Sequence, residues 1–141
     1  MMALAALLAG SLLSLQAGAV NGARRDYMLQ CMGCHLEDGS GMPAKGIPKM
    51  NGVLGHFLRL PEGRALIVQV PGVMNTSLSD RQIADLMNWM LLGMAGPSRP
   101  DDAQPYTAEE VGSLRSSRPA DVPKARADVV RRLRLIGYSM E

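Results

Sequence analysis

The sequence predicts an all-α fold, on two observations. No stretch shows the alternation of apolar and polar residues that is typical of strands. A helix is clearly indicated over residues 79–93, because Ser79 and Gln82 form a capping box and Gly93 is a natural C-terminal stop. Between them, apolar residues fall at helical spacing: Ile83, Leu86, Met87, Met90 and Leu91.

The first 19 residues have the pattern of a secretory signal peptide. Residues 3–15 form an apolar run, and Ala17, Gly18 and Ala19 provide small residues at a cleavage point. No Lys or Arg precedes the run, so a retained helical anchor is the alternative. The run is shorter than the ~20 apolar residues that a membrane-spanning helix needs. We therefore expect cleavage before Val20 and export to the periplasm.

Two short helices are predicted on either side of an irregular segment. The first covers residues 23–30, where Ala23 and Tyr27 share one face. The second covers residues 62–70, with Pro61 suited to its first turn. Residues 36–55 contain five glycines and two prolines, which exclude long regular structure. We expect this segment to be a wrapping loop.

A linker rich in proline and aspartate follows the helix of residues 79–93 and places the main boundary close to Ala95. Residues 20–95 are therefore expected to form the principal domain. Residues 96–141 are expected to be a linker and a helical C-terminal extension.

Two helices are predicted in the extension. Thr107 and Glu110 make a second capping box, for a helix over residues 108–116, and Asp121 caps a third candidate. The stretch KARADVVRRLRLIGY carries five basic residues and one acid. It could lie on a partner, fold back on the principal domain or contact anionic lipid.

Composition limits what the interior can hold and what the surface can bind. The chain is 47% hydrophobic but only 4% aromatic, with 11 methionines. Aliphatic and flexible thioether side chains must fill the core. A core of this kind suits a large, flat ligand. The net charge of +2 is small and evenly spread, so no nucleic-acid surface is expected.

Both cysteines and one of the two histidines lie within five positions, Cys31, Cys34 and His35. We favour covalent haem attachment, in which two thiols add to the porphyrin vinyl groups and the next histidine binds iron. A structural zinc site needs four ligands, and His56 is the only other histidine or cysteine in the sequence. A thiol–disulfide redox pair normally follows a strand. A plain disulfide or a chance cluster is the remaining alternative.

These residues resemble the class I c-type cytochromes, and the likeness extends over about residues 22–93. Tyr27 stands four residues before Cys31, as an aromatic does in that family, and Trp89 takes the place of the usual aromatic in the last helix. The glycine-rich loop leads to Pro48. Ala23 stands where the family commonly has glycine. The resemblance implies a small cytochrome c-like helical domain wrapped around one covalently bound haem c.

The resemblance also implies the other groups around the iron. Met74 precedes the last helix, where the family's ligand methionine usually sits, and Met50 and Met42 are the substitutes. The carbonyl of Pro48 is expected to accept the far proton of the proximal histidine, His35.

The remaining methionines and several basic residues have simpler expected roles. We expect core packing for four methionines: Met28, Met32, Met87 and Met90. Lys49, Arg59 and Arg64 are expected either to offset haem propionates or to lie on a solvated face.

Together these expectations describe an electron carrier without catalytic residues. It would pass single electrons between redox partners such as a periplasmic dehydrogenase or a terminal oxidase. The alternatives are a haem-bearing subunit of a larger oxidoreductase and a five-coordinate, ligand-binding or peroxidase-like haem protein. Membrane contact is expected only if the N-terminal segment is retained.

Overall fold

Helices, joined by loops and turns, form most of the part of the chain that the structure describes. This computed structural model describes residues 20–140, and the predicted signal peptide lies outside them. The α-helices are α1 (20–30), α2 (Met32–His35), α3 (Pro61–Gln69), α4 (Pro71–Met74), α5 (Asp80–Gly93), α6 (Ala108–Arg115) and α7 (Val122–Leu135). Short 3₁₀ helices cover Pro43–Lys45, Leu54–Arg59 and Gly96–Ser98.

The all-α prediction is confirmed. No strand occurs within residues 20–140, where β pairing is limited to one isolated bridge between Met42 and Ile47. No helix in that range is long and apolar enough to cross a membrane.

Helix α5 begins and ends as its local chemistry predicts. The Ser79 hydroxyl accepts a hydrogen bond from the Gln82 backbone N–H, and the Gln82 side chain accepts one from the Ser79 N–H. Both bonds satisfy donors that the first helical turn leaves free. The buried face of α5 then supplies much of the core, with Ile83, Ala84, Leu86, Met87, Met90 and Leu91.

Helix α1 packs against α5 through aromatic and small residues. The ring centroids of Tyr27 and Trp89 lie 5.4 Å apart. Ala23, whose side chain is small, is buried on the same helix. Gln82 adds a hydrogen bond of 3.3 Å to the buried carboxylate of Asp26. These contacts fix the last turn of α1, which leads directly into the cysteines.

The C-terminal segment, residues 96–140, folds back on the rest of the protein. It contributes Tyr106, Val111, Val122, Val129 and Leu133 to the same hydrophobic cluster as the buried residues of α3 and α5. Helix α3 contacts both α6 and α7, and α5 contacts α6. The predicted boundary near Ala95 stays a prediction, but the residues on its two sides share one core.

Arg64 joins α3 to the C-terminal segment. Its guanidinium makes two bonds to the Glu110 carboxylate, at 2.6 and 2.7 Å, and donates to the carbonyl oxygens of Gln104 and Pro105. It also lies over the Tyr106 ring, 4.0 Å from its centroid. Arg64 therefore stabilises the fold, in place of the solvated or propionate-facing role expected from the sequence.

The caps of α6 and α7 follow the prediction in part. The Thr107 hydroxyl accepts from the Glu110 N–H, and Asp121 accepts from the Lys124 N–H. The Glu110 carboxylate, however, is bound to Arg64. The second capping box is thus formed only on its Thr107 side, because an ion pair holds the glutamate elsewhere.

Candidate functional site

The two cysteines and His35 occupy a single helical turn at the end of α1. The Cys31 N–H donates to the Tyr27 carbonyl at 2.8 Å, so α1 leads directly into this turn, and Cys31 separates α1 from α2. The N–H groups of Cys34 and His35 both donate to the Cys31 carbonyl, at 3.1 and 2.9 Å. Residues three apart in such a turn are neighbours on one face. Both thiols are free; Cys34 is exposed and Cys31 is half-buried.

The state of the thiols disfavours a redox pair. Burial, followed by the neighbouring Cys34, raises the pKa of Cys31 to about 11. Thiols that exchange disulfides have lowered pKa values, because the thiolate is the nucleophile. Cys31 is shifted in the opposite direction.

A structural zinc site is also without support. Within residues 20–140, no group of three or more His, Cys, Asp or Glu side chains could hold a metal ion. A haem requires less from the chain, namely two thiols for the vinyl groups and an imidazole for the iron. The residues present match that requirement.

His35 lies beside a carbonyl group. Its Nδ1 atom is buried and makes no hydrogen bond of standard geometry among the described residues. Burial lowers the pKa of the imidazole, and the backbone carbonyl of Pro48 opposes that effect. The Pro48 carbonyl is therefore close enough to the His35 imidazole to affect its pKa. This is the arrangement expected for a proximal ligand whose iron-binding nitrogen is Nε2.

Gly41 brings this carbonyl to His35. The Gly41 N–H donates to the His35 carbonyl at 3.0 Å. A Cβ at position 41 would lie only 2.5 Å from the Pro48 oxygen, and the φ of +64° is one that favours glycine. Two bonds between Met42 and Ile47 close the loop between them. The sequence identified Gly41 only as one glycine among several, because its role depends on where Pro48 folds.

The three candidate sixth ligands occupy different elements. Met74 is half-buried at the end of α4, and its N–H donates to the Val70 carbonyl at 2.9 Å. Met50 packs against the core cluster, and its N–H donates to the Gly39 carbonyl at 2.7 Å. Met42 is half-buried in the loop. The assignment of Met74 as the ligand stays a prediction.

The predicted packing of the other methionines is largely confirmed. Met87 and Met90 are buried, and Met32 packs against the core. Met28 is 37% exposed, so the prediction was wrong there. It follows the buried Tyr27 by one position, which turns it away from the face that α1 presents to the core.

A second polar cluster surrounds Tyr138. The Arg59 guanidinium lies 4.3 Å from the centre of the Tyr138 ring, and the ring of His56 is 4.8 Å from it. The Nδ1 of His56 and the Nε of Arg59 are buried without hydrogen-bond partners in the described residues. Burial and then the Arg59 charge lower the pKa of His56. Lys49 is exposed.

The comparisons with known proteins point to one class. Cytochrome c-552 of Thermus thermophilus is 28% identical over 107 residues, which cover 63% of this chain and 81% of that protein. A second protein of that name, from a strain of the same species, is 29% identical over 107 residues. This match covers 63% of this chain and 72% of that protein. No family model matches the chain. No solved structure matches it either.

The fold, the turn of Cys31–His35 and these similarities together support a c-type cytochrome.

Proposed function

We propose that this chain is an exported, monohaem, class I c-type cytochrome that transfers single electrons between redox proteins. Cys31 and Cys34 would hold the haem through thioether bonds, His35 would be the proximal iron ligand and Met74 the distal one. The observation that carries the proposal is the single helical turn that presents two free thiols and an imidazole beside the Pro48 carbonyl.

When bound, the haem iron would supply a one-electron Fe(III)/Fe(II) couple. The chain would supply the iron ligands and the groups that orient them. The Pro48 carbonyl would accept the Nδ1 proton of His35 and so orient the ring and raise its donor strength. A thioether ligand such as Met74 favours the ferrous state and raises the potential relative to a second imidazole.

Six-coordination by His35 and Met74 would leave no axial position for a substrate. This supports a carrier over a peroxidase-like or gas-binding protein. The extension gives less support than the sequence suggested to a subunit of a larger complex, because Val129 and Leu133 are buried in this chain's own core, although Leu135 and Ile136 stay exposed.

The redox partners are proposed to be a periplasmic dehydrogenase or a terminal oxidase. Leu29 and Leu36, both exposed, flank the attachment turn and would offer apolar surface to such a partner. Encounters of this kind use small, weak interfaces, since turnover depends on fast dissociation.

The test uses the full chain matured with haem and its Met74→Ala variant. Wild-type protein should be low-spin, with a thioether-to-ferric-iron absorption band, and should not bind carbon monoxide readily. Met74→Ala should lose the band and take up carbon monoxide, whereas the control Met42→Ala should keep the wild-type spectrum. A Met74→Ala protein that keeps the band and the potential would contradict the assignment. A high-spin wild-type protein would favour the ligand-binding alternative.

A further inference from the structure

The C-terminal end of α6 bonds to both sides of the segment that carries Met74. We name residues 70–78 the Met74 segment. It contains α4 and the turn that leads to α5. Gln69 precedes it, and Asp80 follows it.

The first contact is made by Gln69, the last residue of α3. Its side chain is buried, and its amide nitrogen donates to the carbonyl oxygens of Leu114 and Ser117, at 3.0 and 2.9 Å. The last carbonyls of a helix have no partner within the helix. Gln69 therefore adds a side-chain bond to the Leu114 carbonyl, which also accepts from the Ser117 N–H, and α6 in turn fixes the entry to the Met74 segment.

The second contact is made by Arg115, the last residue of α6. Its Nη1 donates to the Asp80 carboxylate at 2.7 Å and to the Leu78 carbonyl at 3.2 Å. Arg115 and Asp80 also suit the helix ends they occupy, a cation at the C-terminus of α6 and an anion at the N-terminus of α5. A Cβ at Gly112 would lie 2.8 Å from the Asp80 carboxylate, so α6 approaches closely here.

Within the Met74 segment the backbone N–H groups make short-range bonds, and Val73 and Leu78 are buried in the core. The Met74 N–H donates to Val70, the Asn75 N–H to Pro71, and the Leu78 N–H to the Thr76 hydroxyl. Such a segment is the kind that opens locally at low free-energy cost unless its ends are fixed.

We propose that the end of α6 clamps both ends of the Met74 segment and thereby slows release of Met74 from the iron. This rests on the proposed function, where Met74 is the distal ligand. Arg115 and Gln69 are positioning residues, since they act through the segment. Because α6 holds both ends, the backbone of the segment would resist a movement that carries Met74 away from the iron.

The test compares Arg115→Gln with Arg64→Gln in the full chain matured with haem. Arg64 binds Glu110 near the start of α6, so its loss weakens the same helix away from the Met74 segment. The first measurement is amide hydrogen exchange across residues 70–78. The second is the rate at which imidazole replaces the methionine on ferric iron. Asp80→Asn provides an independent variant should Arg115→Gln fold poorly.

Arg115→Gln and Asp80→Asn should speed both processes by about three- to ten-fold, as expected for loss of an ion pair whose two side chains are partly exposed. Arg64→Gln should leave both rates close to wild type even if the whole protein unfolds more easily. Exchange in residues 70–78 that is unchanged in Arg115→Gln, or raised equally by Arg64→Gln, would overturn the clamp.

Failure of the proposed function gives a different pattern. If Met74→Ala keeps the thioether–iron band, Met74 is not the ligand and the effect on its release is overturned. Amide exchange would still report whether α6 holds the segment, because that measurement does not depend on the identity of the ligand.

Discussion

The hydroxyl of Tyr27 donates a 2.6 Å hydrogen bond to the carbonyl oxygen of Leu36. Tyr27 lies in the last turn of α1, and Leu36 directly follows His35, so this bond spans the attachment turn from one side to the other. Leu36 has a φ of 63°, which a branched side chain rarely adopts. The buried tyrosine therefore helps to hold the backbone that ends the turn in an unfavourable conformation.

Tyr27→Phe should lower the free energy of unfolding by about 1–2 kcal/mol. The substitution removes the hydroxyl and leaves the Leu36 carbonyl with only the longer bond of 3.4 Å from the Gly39 N–H, while the ring contact with Trp89 is kept. Denaturant unfolding of the haem-matured protein measures the change. Tyr138→Phe is the control, because the contacts of Tyr138 with Arg59 and His56 are made by its ring, which the substitution keeps. Equal effects of the two substitutions would argue against a special role for Tyr27.

Gly41→Ala should displace the Pro48 carbonyl from His35. The added Cβ would lie 2.5 Å from the carbonyl oxygen, and the backbone conformation itself is strained for alanine, at a cost of about 1–3 kcal/mol. A weaker bond to Nδ1 makes His35 a poorer donor to ferric iron, so the reduction potential should rise. Equilibrium redox titration measures this shift.

Gly46→Ala is the control that separates the effect of backbone strain from the effect of displacing the Pro48 carbonyl. Gly46 also has a positive φ, +77°, but a Cβ there meets nothing within 4 Å. Gly46→Ala should therefore lose stability without a change in potential. If both variants shift the potential alike, the Pro48 carbonyl does not tune His35.

A chain that ends at Ala95 should not form a stable haem domain. It lacks the buried side chains of Tyr106, Val111, Val122, Val129 and Leu133, each worth about 1.5–3 kcal/mol when fully buried. Their combined loss approaches the whole stability of a typical domain, about 5–15 kcal/mol. Circular dichroism and thermal unfolding of the truncated and full-length proteins give the comparison. A truncated protein that unfolds cooperatively near the full-length Tm would contradict this expectation and show that the boundary near Ala95 divides independent units.

Stability should fall as the pH drops below about 6.5, and His56 should account for part of the loss. Burial and the Arg59 charge lower the pKa of His56 in the folded protein. The unfolded chain then binds the proton more readily, so acid favours unfolding from the ordinary histidine pKa of about 6.5 downwards. His35 would not titrate in this range while it binds iron.

Denaturant unfolding at pH 7 and pH 5.5 tests the role of His56. His56→Gln should show a smaller drop between the two values than wild type. A variant with the wild-type pH dependence would place the responsible group elsewhere.

The sequence predicted those features whose causes are local. The Ser79–Gln82 capping box, Pro61 in the first turn of α3 and the Asp121 cap all depend on residues within one helical turn, and all are present. The attachment turn is similar, since Cys31, Cys34 and His35 are neighbours in the chain before it folds.

Contacts between distant parts of the chain could not be predicted from local patterns. Arg64 and Glu110 are 46 residues apart, and their pairing takes Glu110 from the capping box that Thr107 offered. Gln69 had no visible role until α6 packed against α3. Gly41 needs to be glycine only because the loop returns the Pro48 carbonyl to it.

The mass of the haem-matured, full-length protein tests the central claim most directly. Digestion should yield a peptide containing Cys31–His35 that carries the mass of one haem, and Cys31→Ser with Cys34→Ser should abolish the covalent addition. A colourless protein whose two cysteines remain unmodified after expression with a functioning haem-attachment system would contradict the account.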